Sequence, residues 1–244
     1  MMKKKEVMIN SEASFPGTSS LEIEDAKDKS PRVEPFSKER VKAIRKGEKF
    51  RFYIVVKSII DWVLALIAFL ILLVPFILIG FVSFCCDPGT VFFRQTRCGR
   101  NGKPFKIIKF RTMKKGVIHA HVSAQNLTDE DYKKTSNAWQ RFLRKTSIDE
   151  LPQIVNILLG QMAFIGPRPL VYNEDEVLEG RIANGSIHCK PGLSGLAQVN
   201  GRRAVDYESK AKYDGEYYNH MGFWCDLKLW VKTVMVVFTH EGAE

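Results

Sequence analysis

Cysteine is scarce: five residues in 244, an odd number, with no CxxC pair and no zinc-ligand spacing. That excludes a disulfide framework and a structural zinc site and fits a reducing compartment. His119 and His121 lack companion ligands nearby and read as part of a polar loop. Acidic residues are outnumbered, 27 against 37 Lys and Arg, giving a formal charge of +10. The chain therefore prefers anionic partners: nucleic acid, an acidic membrane surface or phosphorylated substrates. No helix-turn-helix, zinc or aromatic RNA-binding signature is present, so nucleic acid ranks last among them. A secretory signal is also missing, because Lys3, Lys4 and Lys5 are not followed by an apolar stretch. Nothing matches a Walker A or dinucleotide fingerprint.

What the chain does have is an uncharged run of 25 residues from Trp62 to Cys86, long enough for one membrane crossing. Eight basic residues lie between Lys38 and Lys57 and nine between Arg94 and Lys115. The positive-inside rule then places both flanks in the cytoplasm, which one straight helix cannot satisfy. Pro75 divides the run, removing a backbone donor and clashing with the carbonyl of Ile71. Each half, at about 18 Å, reaches the middle of a roughly 30 Å hydrocarbon core. The expectation is a re-entrant helix-break-helix with its membrane break at Pro75. Lys57 and Asp61, four apart, either pair on one face or snorkel to the interface.

The remaining chain divides around this run. Residues 1–36 lack periodicity and read as a disordered tail. Residues 37–88 comprise a basic amphipathic segment, suited to anionic inner-leaflet headgroups, and the re-entrant segment. Residues 89–244 read as one cytosolic or interfacial domain, the candidate for any catalysis. Strand patterns at Thr90 to Arg94 and Lys103 to Thr112 flank Asn101-Gly102, a hairpin signal. On the second strand Lys109 and Arg111 are two apart and project to one side, either toward phosphate or as a solvated edge. Residues 114 to about 136 read as a polar excursion, followed by a short basic helix from Asn137 to Lys145. Around Asn173 to Glu179 the pattern is that of a solvated acidic helix, and Asp206 to Asn219 and Trp224 to Phe238 read as two more. The fold class is α/β: mainly helical, with a small β-hairpin or sheet.

Two adjacent carboxylates, Asp149 and Glu150, stand at the predicted mouth of a helix. Ser147 and Glu150 match a capping box, and Leu151, Ile154, Val155, Leu158 and Leu159 keep helical spacing until Gly160. Acids at that position stabilise the helix, and the same N–H groups also attract phosphate. Gly166-Pro167-Arg168-Pro169 is a stiff turn displaying one guanidinium, a fork suited to phosphate. The glycine-rich stretch from Lys190 through Gln198 to Arg202 and Arg203 can bring backbone N–H groups and guanidinium groups to a ligand.

Four blocks in order carry a resemblance: Phe105 to Met113, Thr146 to Gln153, Gly166 to Pro169 and Lys190 to Arg202, together with the proline-broken apolar segment. From about Tyr53 to its end, the chain resembles the monotopic phosphoglycosyl transferases of the bacterial sugar transferase family. That likeness implies a minimal catalytic form at the bacterial inner membrane, with its active site facing the cytoplasm. It implies transfer of a sugar-1-phosphate from a UDP-sugar to undecaprenyl phosphate, beginning the synthesis of a surface glycan. Asp149 would be the nucleophile, Glu150 its partner, and both would hold Mg²⁺. Lys109, Arg111, Arg168, Gln198 and Arg202 would bind the phosphates or the uridine diphosphate. Val74 stands where the family often has serine before the break. Oligomer formation is compatible with all of this. A non-catalytic adaptor of a glycan-assembly complex is the competing reading.

Overall fold

The computed structural model describes residues 35–48, 51–114, 129–172, 174–200 and 206–239. Helix α1 (Lys38–Lys46) is capped by Ser37, whose Oγ accepts from the Arg40 N–H at 3.2 Å. Phe36 and Ile44 pack against a buried cluster that includes Cys98, Leu170, Val177 and Leu178. Phe36 also meets the Tyr172 ring edge-on at 5.6 Å. The start of the described chain is thus anchored one residue inside the expected tail, and α1 is docked on protein as well as basic.

Helix α2 (Phe52–Cys86) contains the whole uncharged run and continues through Pro75 without interruption. The expected break is therefore absent as a loss of helix. Proline here removes one hydrogen bond and can bend the helix, but the flanking turns hold. At 1.5 Å per residue, 35 residues span about 52 Å, more than a hydrocarbon core. Only 6 % of its most apolar stretch is buried, which distinguishes it from the core helix of a soluble protein. One stripe does face protein: Ala65, Phe69, Leu72 and Phe76, at helical spacing, cover Phe105, Ile107, Ile154, Ile157 and Phe164.

Polar contacts fasten α2 near both ends. Lys57 Nζ lies 3.4 Å from Asp61 and 2.6 Å from Asp226, with all three nearly buried, so the pair is an internal tie and does not snorkel. At the other end the Trp139 indole N–H donates to Ser83 Oγ at 2.9 Å.

Strands β1 (Phe92–Cys98) and β2 (Pro104–Phe110) pair antiparallel, Phe92 opposite Phe110 and Cys98 opposite Pro104. The turn between them holds Asn101 at φ 59° and Gly102 at φ 74°, as the Asn-Gly signal requires. Against the expected bounds the first strand starts two residues later and runs four further, to Cys98, while the second is trimmed at both ends, with Arg111 already beyond the pairing. A short helix α3 (Asp129–Thr135) interrupts the expected polar excursion, of which residues 115–128, with His119 and His121, lie outside the described residues. Helix α4 (Ala138–Lys145) follows, closed by an Asn137–Gln140 capping box.

Next comes a single tight helical turn, Ile148–Glu150, and then helix α5 (Gln153–Leu158). The expected capping box at Ser147 does not form. Ser147 is left-handed at φ 57°, its side chain caps nothing, and the helix proper starts after Pro152. Pro152 has no N–H to give the Ile148 carbonyl, so Leu151 closes the turn to it instead at 3.2 Å.

Strand β3 (Ala163–Ile165) pairs parallel with β4 (Gly192–Ser194), and helices α6 (Asp175–Asn184), α7 (Leu196–Val199), α8 (Tyr207–His220) and α9 (Phe223–Thr239) complete the described chain. Helix α6 is not the solvated helix expected. Val177 and Leu178 are fully buried, and Arg181 forms a buried ion pair with Asp214 of α8 at 2.6 Å. The result is mainly helical with two short strand pairs, the expected class.

Candidate active site

Ser147 reverses the chain between α4 and the tight turn, and that reversal sets Asp149 and Glu150 beside the end of β2. The side chain of Lys109 on β2 meets Glu150 at 2.6 Å. Asp149 is 8 % exposed and closes no ion pair among the described residues. The two carboxylates therefore differ. Burial and then the neighbouring charge of Glu150 push the Asp149 carboxyl up to about 7, against the opposing pull of Lys109 and Arg144. For Glu150 burial also pushes upward, but Lys109 and then Arg168 outweigh it and hold the group low, at about 2.

Arg168 is exposed at the tip of the Gly166–Pro169 turn, where its backbone carbonyl accepts from Arg181 Nη2 at 3.0 Å. Its charge acts on Glu150 and favours the ionised carboxylate. Three further residues belong to this group and were not singled out from sequence. Arg97 of β1 is pushed down to about 10 by burial and then by Arg168, and it donates to the Pro169 carbonyl at 3.4 Å. Arg144, in the last turn of α4, acts on Asp149 and lies 4.3 Å over the Tyr132 ring. Buried Gln153 stands close enough to Glu150 to favour its ionised form. Arg144 and Gln153 flank the dyad at −5 and +4, a signal present in the sequence. Arg97 is 52 positions from Asp149 and only the β1–β2 pairing brings it in.

Not every expected residue joins them. Arg111 turns away from Lys109: it is 4 % exposed and lies 3.3 Å from Asp87, whose backbone carbonyl it also contacts. Once past the end of β2 the alternation that put the two cations on one side no longer applies. Gln198 sits on α7 beside Gly195, donating to the Leu193 carbonyl at 3.4 Å, with Oε1 buried and unpaired. It packs against Gly195, whose backbone also meets Gly166. Arg202 lies outside the described residues.

The glycines of the Lys190–Gln198 stretch have a packing reason. A Cβ on Gly192 or Gly195 would collide with the backbone of Gly166, and one on Gly166 with the Lys190 carbonyl. Close backbone approach along β3 and β4 thus sets the Gly166–Pro169 turn and the position of Arg168. Pro75 lies away from the dyad, but its neighbour Phe76 meets Phe110 edge-on at 6.0 Å, next to Lys109. The middle of α2 therefore backs the strand that carries the lysine.

As a metal site the dyad offers hard oxygen ligands and few of them. No cluster of three or more His, Cys, Asp or Glu exists among the described residues. Two carboxylates suit Mg²⁺, which keeps waters and takes its other ligands from substrate phosphates. The mutual repulsion that holds up the proton of Asp149 is what a cation there would relieve.

The sequence model of the family described as bacterial sugar transferase matches residues 52–240. The chain is 39% identical over 160 residues to the uncharacterized sugar transferase EpsL of Bacillus subtilis, covering 63% of this chain and 73% of that one. It is 39% identical over 166 residues to the UDP-glucose:undecaprenyl-phosphate glucose-1-phosphate transferase of Escherichia coli, covering 64% and 34%. To the exopolysaccharide production protein ExoY of Sinorhizobium fredii it is 33% identical over 199 residues, covering 77% and 87%. The chain spans only 42% of a sugar transferase from Haemophilus influenzae and, as above, a third of the E. coli protein. The family match takes in all of α2, the hairpin, the dyad and the Gly166–Pro169 turn. The chain belongs to the bacterial sugar transferase family.

Proposed function

We propose that this chain moves a sugar-1-phosphate from a UDP-sugar to undecaprenyl phosphate, through a covalent intermediate on Asp149. The observation that carries this reading is the unequal dyad: Glu150 is committed to Lys109, and Asp149 is buried with no ion pair among the described residues. A nucleophile must keep its lone pairs uncommitted, and Asp149 is the carboxylate that does. The names of the E. coli relative and of the undecaprenyl-phosphate galactose phosphotransferase of Salmonella typhimurium support the substrate classes.

In the first step an Asp149 carboxylate oxygen attacks the β-phosphorus of the donor. The Oδ–P bond forms, the bridging P–O bond breaks, and UMP leaves with the electron pair. An oxygen of the polyprenyl phosphate then attacks the same phosphorus, forming the pyrophosphate linkage and releasing Asp149 as carboxylate. Arg168, Arg97 and Arg144 supply fixed positive charge beside a reaction in which every reactant is anionic. Lys109 holds Glu150 ionised and in place. Mg²⁺ held by Asp149 and Glu150 would supply charge neutralisation of the diphosphate.

Membrane association follows from α2. Because Lys57 near its start and Ser83 near its end both bond to the same body, we read both flanks as lying on the cytoplasmic face, with α2 embedded monotopically. This puts Asp149 within reach of a soluble donor and a lipid acceptor. Single cysteines at Ser37 and Lys103, labelled in intact cells, test it: both should be protected from an impermeant maleimide, and external labelling of either refutes the placement.

For the reaction, the purified protein is incubated with Mg²⁺ and a panel of UDP-sugars without acceptor, and the Asp149 peptide is weighed. A phosphosugar adduct with one donor, absent in Asp149→Asn, is the expected result. UMP release that requires undecaprenyl phosphate, with no adduct, would replace the covalent route by direct transfer.

A further inference from the structure

A cavity lies at the far end of α5 from the dyad. It measures about 650 Å³ and is bounded by the end of α1, the first three turns of α2, the hairpin turn and Lys190. Gly160, which follows α5, lines it, whereas Asp149 and Glu150 precede α5. Ile157, in the last turn of α5, lines it too, so the cavity and the dyad lie toward opposite ends of that helix. A phosphate lodged here is not positioned to meet Asp149.

Its walls are of two kinds. Arg45, Arg51, Arg100 and Lys190 face it with four cations, against Glu48 and Asp61. Glu48 is already engaged, holding Arg100 and accepting from Asn101 at 2.7 Å, whereas Asp61 lies 3.4 Å from Lys57 with its Oδ2 closing no hydrogen bond among the described residues, and offsets part of the positive charge. Arg45, Arg51 and Lys190 close no ion pair among the described residues, and the buried Nε of Arg100 has no partner. Arg51 is held over the Tyr218 ring at 4.3 Å, so its position is fixed by the protein. Burial disfavours the charged form of Lys190, Asp61 favours it, and the neighbouring Arg100 and Lys57 add smaller repulsions.

The other wall is apolar. Ile54, Ile59 and Trp62 of α2 line the cavity, and Ile59 and Trp62 are 61% and 47% exposed. This wall runs directly into the outward-facing apolar surface of α2, with Ile60, Val63 and Ile67 exposed beyond it. The cavity therefore sits where the basic segment gives way to the uncharged run at Trp62, the level at which headgroups and acyl chains meet.

We infer that this cavity binds one anionic phospholipid, its headgroup phosphate held by Arg45, Arg51, Arg100 and Lys190 and the start of an acyl chain lying along Ile59 and Trp62. The lipid joins α1, the hairpin turn and the start of α2 through one anion, and sets the depth at which the helix enters the bilayer. Neither the donor nor the acceptor of the proposed reaction occupies the site, so this inference does not depend on that reading.

Native mass spectrometry of the full chain released from nanodiscs containing phosphatidylcholine and phosphatidylglycerol tests it. Wild-type protein should retain one phosphatidylglycerol. Arg45→Gln with Arg51→Gln should weaken that retention by at least about tenfold, since each cation near a lipid surface contributes on the order of 1 kcal/mol. Lys42→Gln with Lys46→Gln removes the same charge from exposed positions of α1 outside the cavity and should leave retention intact. Thermal melting checks that both double variants are folded. Equal loss in the two, or loss in neither, overturns the assignment in favour of diffuse surface charge. Displacement of the lipid by millimolar inorganic phosphate would show a site for free phosphate, and exclusive retention of added undecaprenyl phosphate would show an acceptor site. Either result also overturns it.

Discussion

Lys109 Nζ lies 2.6 Å from Glu150 Oε1, and this contact divides the labour of two adjacent carboxylates. By neutralising Glu150 it leaves its neighbour as the group whose proton is held up by burial and by a fixed negative charge. Lys109→Met should release that asymmetry. Glu150 then loses the strongest influence lowering its pKa, and UMP release should fall by about 100-fold, the range over which a positioned electrostatic group acts. Glu150→Gln combined with Lys109→Met should be far less than additive, because the two changes remove one interaction. Steady-state kinetics of the single and double variants measure this, and strict additivity would place Lys109 on the substrate alone.

Asp149→Asn should abolish adduct formation and lower turnover by at least about 1,000-fold, as expected for a lost nucleophile. The same change should not lower the melting temperature. Asparagine is neutral where aspartate is ionised against burial and Glu150, so the fold loses a repulsion and no ion pair. A large drop in melting temperature would show a structural role instead.

The pH dependences of activity and stability should run in opposite directions. Attack requires ionised Asp149, so first-step rates should fall as pH drops through about 7. An aspartate raised from its ordinary 3.8 binds its proton more tightly folded than unfolded. Its contribution to stability is therefore present at low pH and fades as pH rises toward 7, the reverse of a salt-bridged carboxylate. Glu150 has the usual sign: its contribution is lost only as pH falls below the ordinary carboxylate range. Rapid-quench measurement of UMP release alongside thermal melts from pH 5 to about 8.5 separates the two.

Lys57 joins α2 to α9 through Asp226, which also accepts from Tyr53 at 2.9 Å and Tyr217 at 2.8 Å. Lys57→Met leaves Asp61 and Asp226 buried without their cation. Breaking such a pair costs about 3–5 kcal/mol. Denaturation in detergent should show that loss, with the KM for the donor unchanged in protein that remains folded. A shifted KM would tie this network to the active site.

Gly195→Ala should be poorly tolerated although the position is not at the dyad. Its added methyl meets the Gly166 carbonyl, so the cost falls on the turn that presents Arg168. Overpacking of this kind costs about 1–3 kcal/mol. A lower melting temperature with a raised donor KM is expected, and an unchanged KM would detach Gly195 from the placing of Arg168.

Local chemistry made much of this protein legible. Asn101-Gly102 specified the hairpin through its left-handed turn residues, and the basic helix expected from Asn137 to Lys145 forms as α4, opened by a capping box of Asn137 with Gln140. The uncharged run declared a membrane segment by length and composition alone, and the adjacency of Asp149 and Glu150 is written in the chain. What the sequence pattern misjudged were contests between local and distant forces. Ser147 and Glu150 spell a capping box, but Pro152 withholds the next donor and the chain turns left-handed at Ser147. Helix α6 reads as solvated until Arg181 finds Asp214, 33 positions on. Only the tertiary structure decided which cation serves which acid. Lys109 and Arg111 look equivalent on a strand, yet one reaches Glu150 and the other Asp87, because β2 ends between them. A sequence states which charges exist, but the energy of a charge depends on burial and on neighbours a few ångströms away, which are set by the fold.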